Sequence, residues 1–233
     1  MSNQSGLPPM MPINSGNNDP SGPRLSWSDA WAKALTQPSV ESFEEIANST
    51  PESNNTAYLW IFVVSIISSI IRAALSTAFA SSLGSTQQYA YSPGTTIITG
   101  LICSPVIGAI SVLFFAIYIG ITQAIAGALD GTGSYRKLLY TAAAYAAPLS
   151  LVTAVLGSIP LVNCLTLPLG LYSIYLNVLS VKAVNQFGWG KAILSSFVIW
   201  IVVVVLIAVV IIVILAILGP SIGEIFSNIT RSL

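Results

Sequence analysis

The sequence contains no histidine, only two cysteines, and charge on just 7% of its 233 residues. Without imidazole, the most versatile general base, proton shuttle and metal ligand is missing. Two thiols are too few for a thiolate metal site or a disulfide framework, so no metal and no other cofactor is expected. Eight Lys+Arg balance eight Asp+Glu. No basic excess is left to neutralise phosphates, and nucleic acid is excluded as an expected partner. A soluble domain carries about 25% charge because its surface must face water. Here 54% of residues are hydrophobic and the mean hydropathy is +0.81. Most of this surface cannot be wet. The expectation is an all-α polytopic membrane protein whose first partner is the lipid bilayer.

Residues 1–25 are rich in Pro, Asn, Ser and Gly, a composition that buries too little apolar surface to offset its ordering entropy, and a disordered tail is expected. It does not read as a signal peptide, because the first long apolar run begins only at Ala57. Residues 26–56 carry two amphipathic patterns. Trp27, Trp31, Ala34 and Leu35 share one helical face. Pro38 then opens a second helix, with Val40, Phe43, Ile46 and Ala47 on one side and Glu41, Glu44 and Glu45 on the other. Indole rings favour the headgroup zone, so these helices are expected on the membrane surface or on the end of the bundle.

A span needs roughly 20 apolar residues. Residues 57–218 supply five such stretches, at about 58–82, 96–125, 138–157, 166–183 and 192–218. Residues 138–183 hold no charge before Lys182, but one helix of that length would be about 65 Å long at 1.5 Å per residue, so two spans with a hairpin near Pro160 are expected. Pro105 and Pro148 fall inside spans, where neighbouring Ser or Thr can satisfy the carbonyls they free. Gly100, Ser104 and Gly108, and likewise Ala142/Ala146 and Ala143/Ala147, make small-xxx-small steps for close helix approach. The fifth span is expected to stop at Gly219-Pro220. After it, residues 219–233 form a short tail in which Ser221-Ile222-Gly223-Glu224 fits a capping box.

Charge sets orientation. Arg24 and Lys33 precede the first span, Arg136 and Lys137 lie between the second and third, and Lys182 and Lys191 flank the loop between the fourth and fifth. All fall on one face, which predicts a cytoplasmic N-terminus and an outer C-terminus.

Arg72 is the one charge deep inside an expected span, where insertion costs at least ~2.5 kcal/mol at the centre. Ser65, Ser69, Arg72 and Ser76 form a polar stripe, and Gly170, Ser173, Asn177 and Ser180 form a second on the fourth span. Aligned stripes of this kind face the bundle interior and hydrogen-bond across helices. Arg72, Ser69, Asn177 and Ser173 are therefore the candidate intramembrane polar site. The alternative is that Arg72 snorkels to the outer headgroups. Cys103 and Cys164 both map to the outer half. They either pair, if that compartment is oxidising, or serve as ordinary small apolar residues. With no intramembrane carboxylate pair and no phosphate-cradling loop, an enzyme is not expected.

The stretch Gly131-Thr132-Gly133-Ser134-Tyr135-Arg136-Lys137-Leu138-Leu139-Tyr140, continued by Ala143-Ala144-Tyr145-Ala146-Ala147-Pro148, resembles the Yip domain family. The likeness runs through Leu176–Val184 to Phe187-Gly188-Trp189-Gly190-Lys191, and the lead-in Trp31–Pro38 is similar to that of prokaryotic members. The resemblance implies a five-helix membrane bundle with a cytoplasmic N-terminus and, for eukaryotic relatives, traffic between early secretory membranes with Rab-type GTPases as partners. The Asp-Leu-Tyr-Gly-Pro motif of those relatives is missing here, which argues against a Rab-type partner and for a prokaryotic-type member. The expected location is the plasma membrane for a prokaryotic protein and early secretory membranes for a eukaryotic one. No catalytic residue comes with the family. The expected role is a scaffold or adaptor, recruiting a protein partner or a second subunit or organising lipid at its cytoplasmic face. Tyr135, Arg136, Lys137, Lys182, Trp189 and Lys191 are the candidate contact surface. A small transporter or channel with a polar path near Arg72 and Asn177 is the alternative.

Overall fold

A computed structural model describes residues 25–82 and 93–232. Among the described residues seven α-helices follow one another: α1 (Trp27–Thr36), α2 (Val40–Asn48), α3 (Asn55–Ser82), α4 (Pro93–Ala128), α5 (Tyr135–Ser158), α6 (Thr166–Asn185) and α7 (Trp189–Ser232). A short 3-10 helix, Pro160–Leu165, joins α5 to α6. Helices α3, α4, α5 and α6, the last together with that 3-10 turn, are long and apolar enough to cross a membrane. The α7 helix carries the apolar run 192–218. The protein is an all-α polytopic membrane protein. The expected disordered tail, 1–25, lies outside the described residues except for Leu25.

Helix α5 is the axis of the bundle. It packs against α1, α2, α3, α4 and α6, and every residue from Leu138 to Tyr145 is buried. The alanines at 142, 143, 144 and 147 make this possible, since a methyl lets neighbouring backbones come close on several sides at once. Helices α3 and α4 are held by the same means. A β-carbon on Gly100 would stand 3.0 Å from that of Ala73, and one on Gly108 would stand 3.0 Å from the Phe62 ring. The carbonyl of Leu101, freed by Pro105, accepts from the Ser104 hydroxyl at 2.9 Å, so α4 runs through its proline unbroken.

Three sequence expectations change. The α2 helix begins two residues later than Pro38 implied. Ser39 is its N-cap, accepting from the Ser42 amide, because a hydroxyl can satisfy an open N–H and a proline cannot. Of the two places expected for the α1–α2 hairpin, the packing selects the end of the bundle. Ala30, Ala34, Phe43 and Ile46 are fully buried in the common core, with the Phe43 ring 6.2 Å from that of Tyr145. Trp31, read as a headgroup anchor, joins an inward stack instead, 5.7 Å from Trp60, which stands 4.9 Å from Tyr140, while Trp27 stays exposed. Finally, α7 does not stop at Pro220 but stays helical to Ser232. A proline removes one hydrogen bond, and the flanking residues keep the helix going. Ser221 therefore lies within a helix and not at the start of one.

Candidate functional sites in the bundle

Two loops meet at the end of the bundle that carries Arg136, Lys137, Lys182 and Lys191. After α4 the chain reverses at Asp130, whose φ of 67° lets the Gly131 amide reach back to the Ala126 carbonyl at 2.9 Å. After α6, Gln186 does the same at φ 54°, with the Phe187 amide on the Lys182 carbonyl at 3.2 Å. Both closures match the left-handed helix stop in which a 6→1 bond satisfies an orphan carbonyl. The Gly131-Thr132-Gly133 segment then lies flat against the second reversal. A β-carbon on Gly133 would sit 2.7 Å from the Val184 carbonyl oxygen and from Asn185 Oδ1.

A polar clasp closes the junction. Gln123 Nε2 donates to the Gly133 carbonyl at 2.9 Å and to Asn185 Oδ1 at 3.0 Å. Outside, Lys191 Nζ donates to the Leu129 carbonyl at 2.8 Å and pairs with Asp130 at 3.2 Å. Lys182 lies over the Trp189 ring, 5.1 Å from its centre. Arg136 donates to the Glu52 carbonyl at 2.7 Å, and Lys137 to Asn48 Oδ1 at 3.3 Å. Five of the six expected surface residues thus stand around one end. Tyr135 does not join them. Its hydroxyl turns inward to Tyr58 at 3.0 Å and to the Ala116 carbonyl at 3.3 Å.

The α1–α2 hairpin borders the same end. Lys33 and Glu45 form an ion pair across it. Its turn is fastened to α6 by Tyr172, which donates to the Leu35 carbonyl at 2.6 Å. The Glu41 carboxyl, solvent-exposed, is held below the usual carboxylate range by its own backbone amide, then by the Ser39 hydroxyl and more weakly by the charge of Lys182.

The expected intramembrane site does not assemble as a unit. Asn177 is buried, donating to the Tyr118 hydroxyl at 2.7 Å and accepting from Tyr145 at 3.2 Å. Arg72 stands elsewhere. Its Nη1 would be 3.5 Å from a β-carbon on Gly157, twelve residues and about 18 Å along α5 from Tyr145. It is exposed and has no ion pair among the described residues, which is how a snorkelling arginine sits. Ser69 bonds the Ile66 carbonyl of its own helix, and Ser173 is half-buried one turn from Asn177. Cys103 and Cys164 are both free and exposed. They are on elements that do not pack closely together, so the conditional disulfide is not formed.

Sequence reasoning passed over Tyr118, Gln123 and Asn185. Gln123 had a signal, as the one carboxamide in the second apolar stretch, where an unpaired amide is costly. The clusters are hydrogen-bonded among themselves, an arrangement that holds helices in register rather than one that presents a nucleophile to a base.

The Yip1 domain family model matches residues 32–226. No curated protein and no solved structure matches the chain.

Proposed function

Because this chain belongs to the Yip1 domain family, we propose that it is a non-enzymatic membrane scaffold or adaptor that recruits protein partners or organises lipid at its cytoplasmic face. The family points to membrane traffic or organisation as the setting. In this reading α7 supplies the fifth span, the basic loops face the cytoplasm, and the tail of α7 lies outside.

The observation that carries the proposal is the clasped junction of the α4–α5 and α6–α7 loops. Its backbone is fixed by Gln123, Gly133 and Asn185, while Arg136, Trp189 and Lys191 stay exposed on it. A rigid platform that presents a half-exposed indole among cations suits a protein partner, since Trp and Arg are enriched at binding hot spots. Tyr135, inward-facing, is removed from the contact set and becomes a support.

The test is affinity purification from native membranes in mild detergent. Joint alanine replacement of Arg136, Trp189 and Lys191 should abolish recovery of a stoichiometric partner without loss of expression. Normal recovery would move the contact surface elsewhere. The transporter alternative relied on Arg72 beside Asn177, and the two are about 18 Å apart along the bundle.

A further inference from the structure

Helices α3 and α4 touch closely where Gly108 meets Phe62. Beside that contact lies an open groove of 610 Å³, within the roughly 300–1,000 Å³ usual for small-molecule sites. Its walls are graded. Leu59, Phe62, Ala109 and Val112 line the apolar part, and Asn55, Thr56 and Tyr58 line the mouth. Asn55 opens α3, so in a bilayer the mouth lies at headgroup depth and the apolar part reaches into the acyl region.

Arg136 and Glu52 both stand close to the mouth in the chain, and no ion pair joins them among the described residues. Arg136 is tied through one N–H to the Glu52 carbonyl, three residues before Asn55, and a guanidinium carries five donors, so others stay free for an anion. The side chains of Asn55 and Thr56 make no hydrogen bond, among the described residues, and are free to donate. The first turn of α3 adds its positive dipole end. An apolar slot that opens onto free donors and a cation matches one class of molecule.

We propose that the α3–α4 groove binds one anionic phospholipid. One acyl chain lies along Leu59, Phe62, Ala109 and Val112, and the phosphate is held by Arg136, Asn55 and Thr56. The site shares Arg136 with the loop junction, but the groove-filling variants leave that junction untouched, and the test reads lipid rather than partner.

The full chain is purified in mild detergent, mixed with equal parts phosphatidylglycerol and phosphatidylcholine, and analysed by native mass spectrometry. Wild type should retain one lipid, with phosphatidylglycerol favoured roughly tenfold. Ala109→Trp, which fills the groove, should lose it. Ile102→Trp, on an exposed part of α4 away from the groove, should keep it. Arg136→Gln should still bind a lipid but lose the preference for phosphatidylglycerol. Val112→Phe replaces Ala109→Trp if the latter yields no folded protein, as judged by its melting curve. Equal retention in folded groove-filling variants and wild type would overturn the site. A wild type without headgroup preference, or a preference that survives Arg136→Gln, would overturn the anionic assignment.

Discussion

Tyr145 donates its hydroxyl to Asn177 Oδ1 across 3.2 Å, while Nδ2 of the same asparagine donates to Tyr118 at 2.7 Å. One side chain thus ties α4, α5 and α6 together. Asn177→Leu keeps the volume and strands two phenolic hydroxyls, at an expected cost of about 1–3 kcal/mol. The value should fall at the low end, since hydrogen bonds between membrane helices average less than in water. Thermal melting in detergent reads the loss. Combined with Tyr145→Phe, the effects should sum to less than the parts, and full additivity would mean that the three groups do not act as a network.

Glycines at the loop junction should divide sharply. Gly133→Ala forces a β-carbon to 2.7 Å from the Val184 carbonyl, a backbone atom that cannot swing aside. A loss of about 1–3 kcal/mol is expected, with faster amide exchange across residues 129–134. Gly127→Ala meets nothing within 4 Å and lies within α4, where alanine is the better helix former by about 1 kcal/mol. It should hold or raise the melting temperature.

Phe43 is fully buried beneath α5, and Phe43→Ala should cost about 3–5 kcal/mol of docking. The expected phenotype is local. The α1–α2 hairpin becomes sensitive to limited proteolysis while the spans remain helical by circular dichroism. Resistance equal to wild type would show that the hairpin is held chiefly by the Tyr172 bond and the Lys33–Glu45 pair.

The Glu41 carboxyl ionises more readily in the folded chain than in the unfolded one. Its contribution is therefore present above the ordinary carboxylate pKa and is lost as pH falls through the lower folded value. Amide exchange in the first turn of α2 should accelerate over that acidic window. Glu41→Gln should exchange at a rate that no longer varies across it. The effect will be small, because the group is exposed.

The spans were legible because apolar length is a direct signal. Starts and ends of α3 to α6 agree with the sequence to within a turn. Hydropathy periodicity names a face but not the neighbour that the face meets. Asn177 was rightly placed on an inward stripe, yet its partners are Tyr118 and Tyr145, two residues whose rings read as apolar in a hydropathy profile. Trp31 misled for a related reason. An indole suits both a headgroup layer and a protein core, and only the fully buried Ala30 and Ala34 beside it reveal which. The stretch 131–148 carried the family likeness, but only its Tyr135, Arg136 and Lys137 were assigned to contact, and residues 138–145 are buried among five helices. Much of that likeness is a packing pattern.

The docking of α1 and α2 also sets an order of biogenesis. Leu35 meets Tyr172, 137 residues later in the chain. At roughly 5–20 residues per second, its binding place exists only on the order of ten seconds after Leu35 leaves the ribosome. Until α5 and α6 are made, Phe43 and Ile46 lack the helices they pack against, and the hairpin must wait outside the insertion machinery without being threaded into it. The acidic side of α2, Glu41, Glu44 and Glu45, opposes such threading. Helices α1 and α2 are made before α6 and locked after it, so a ribosome stalled before α6 would leave a nascent chain with its α1–α2 segment open to proteases and chaperones.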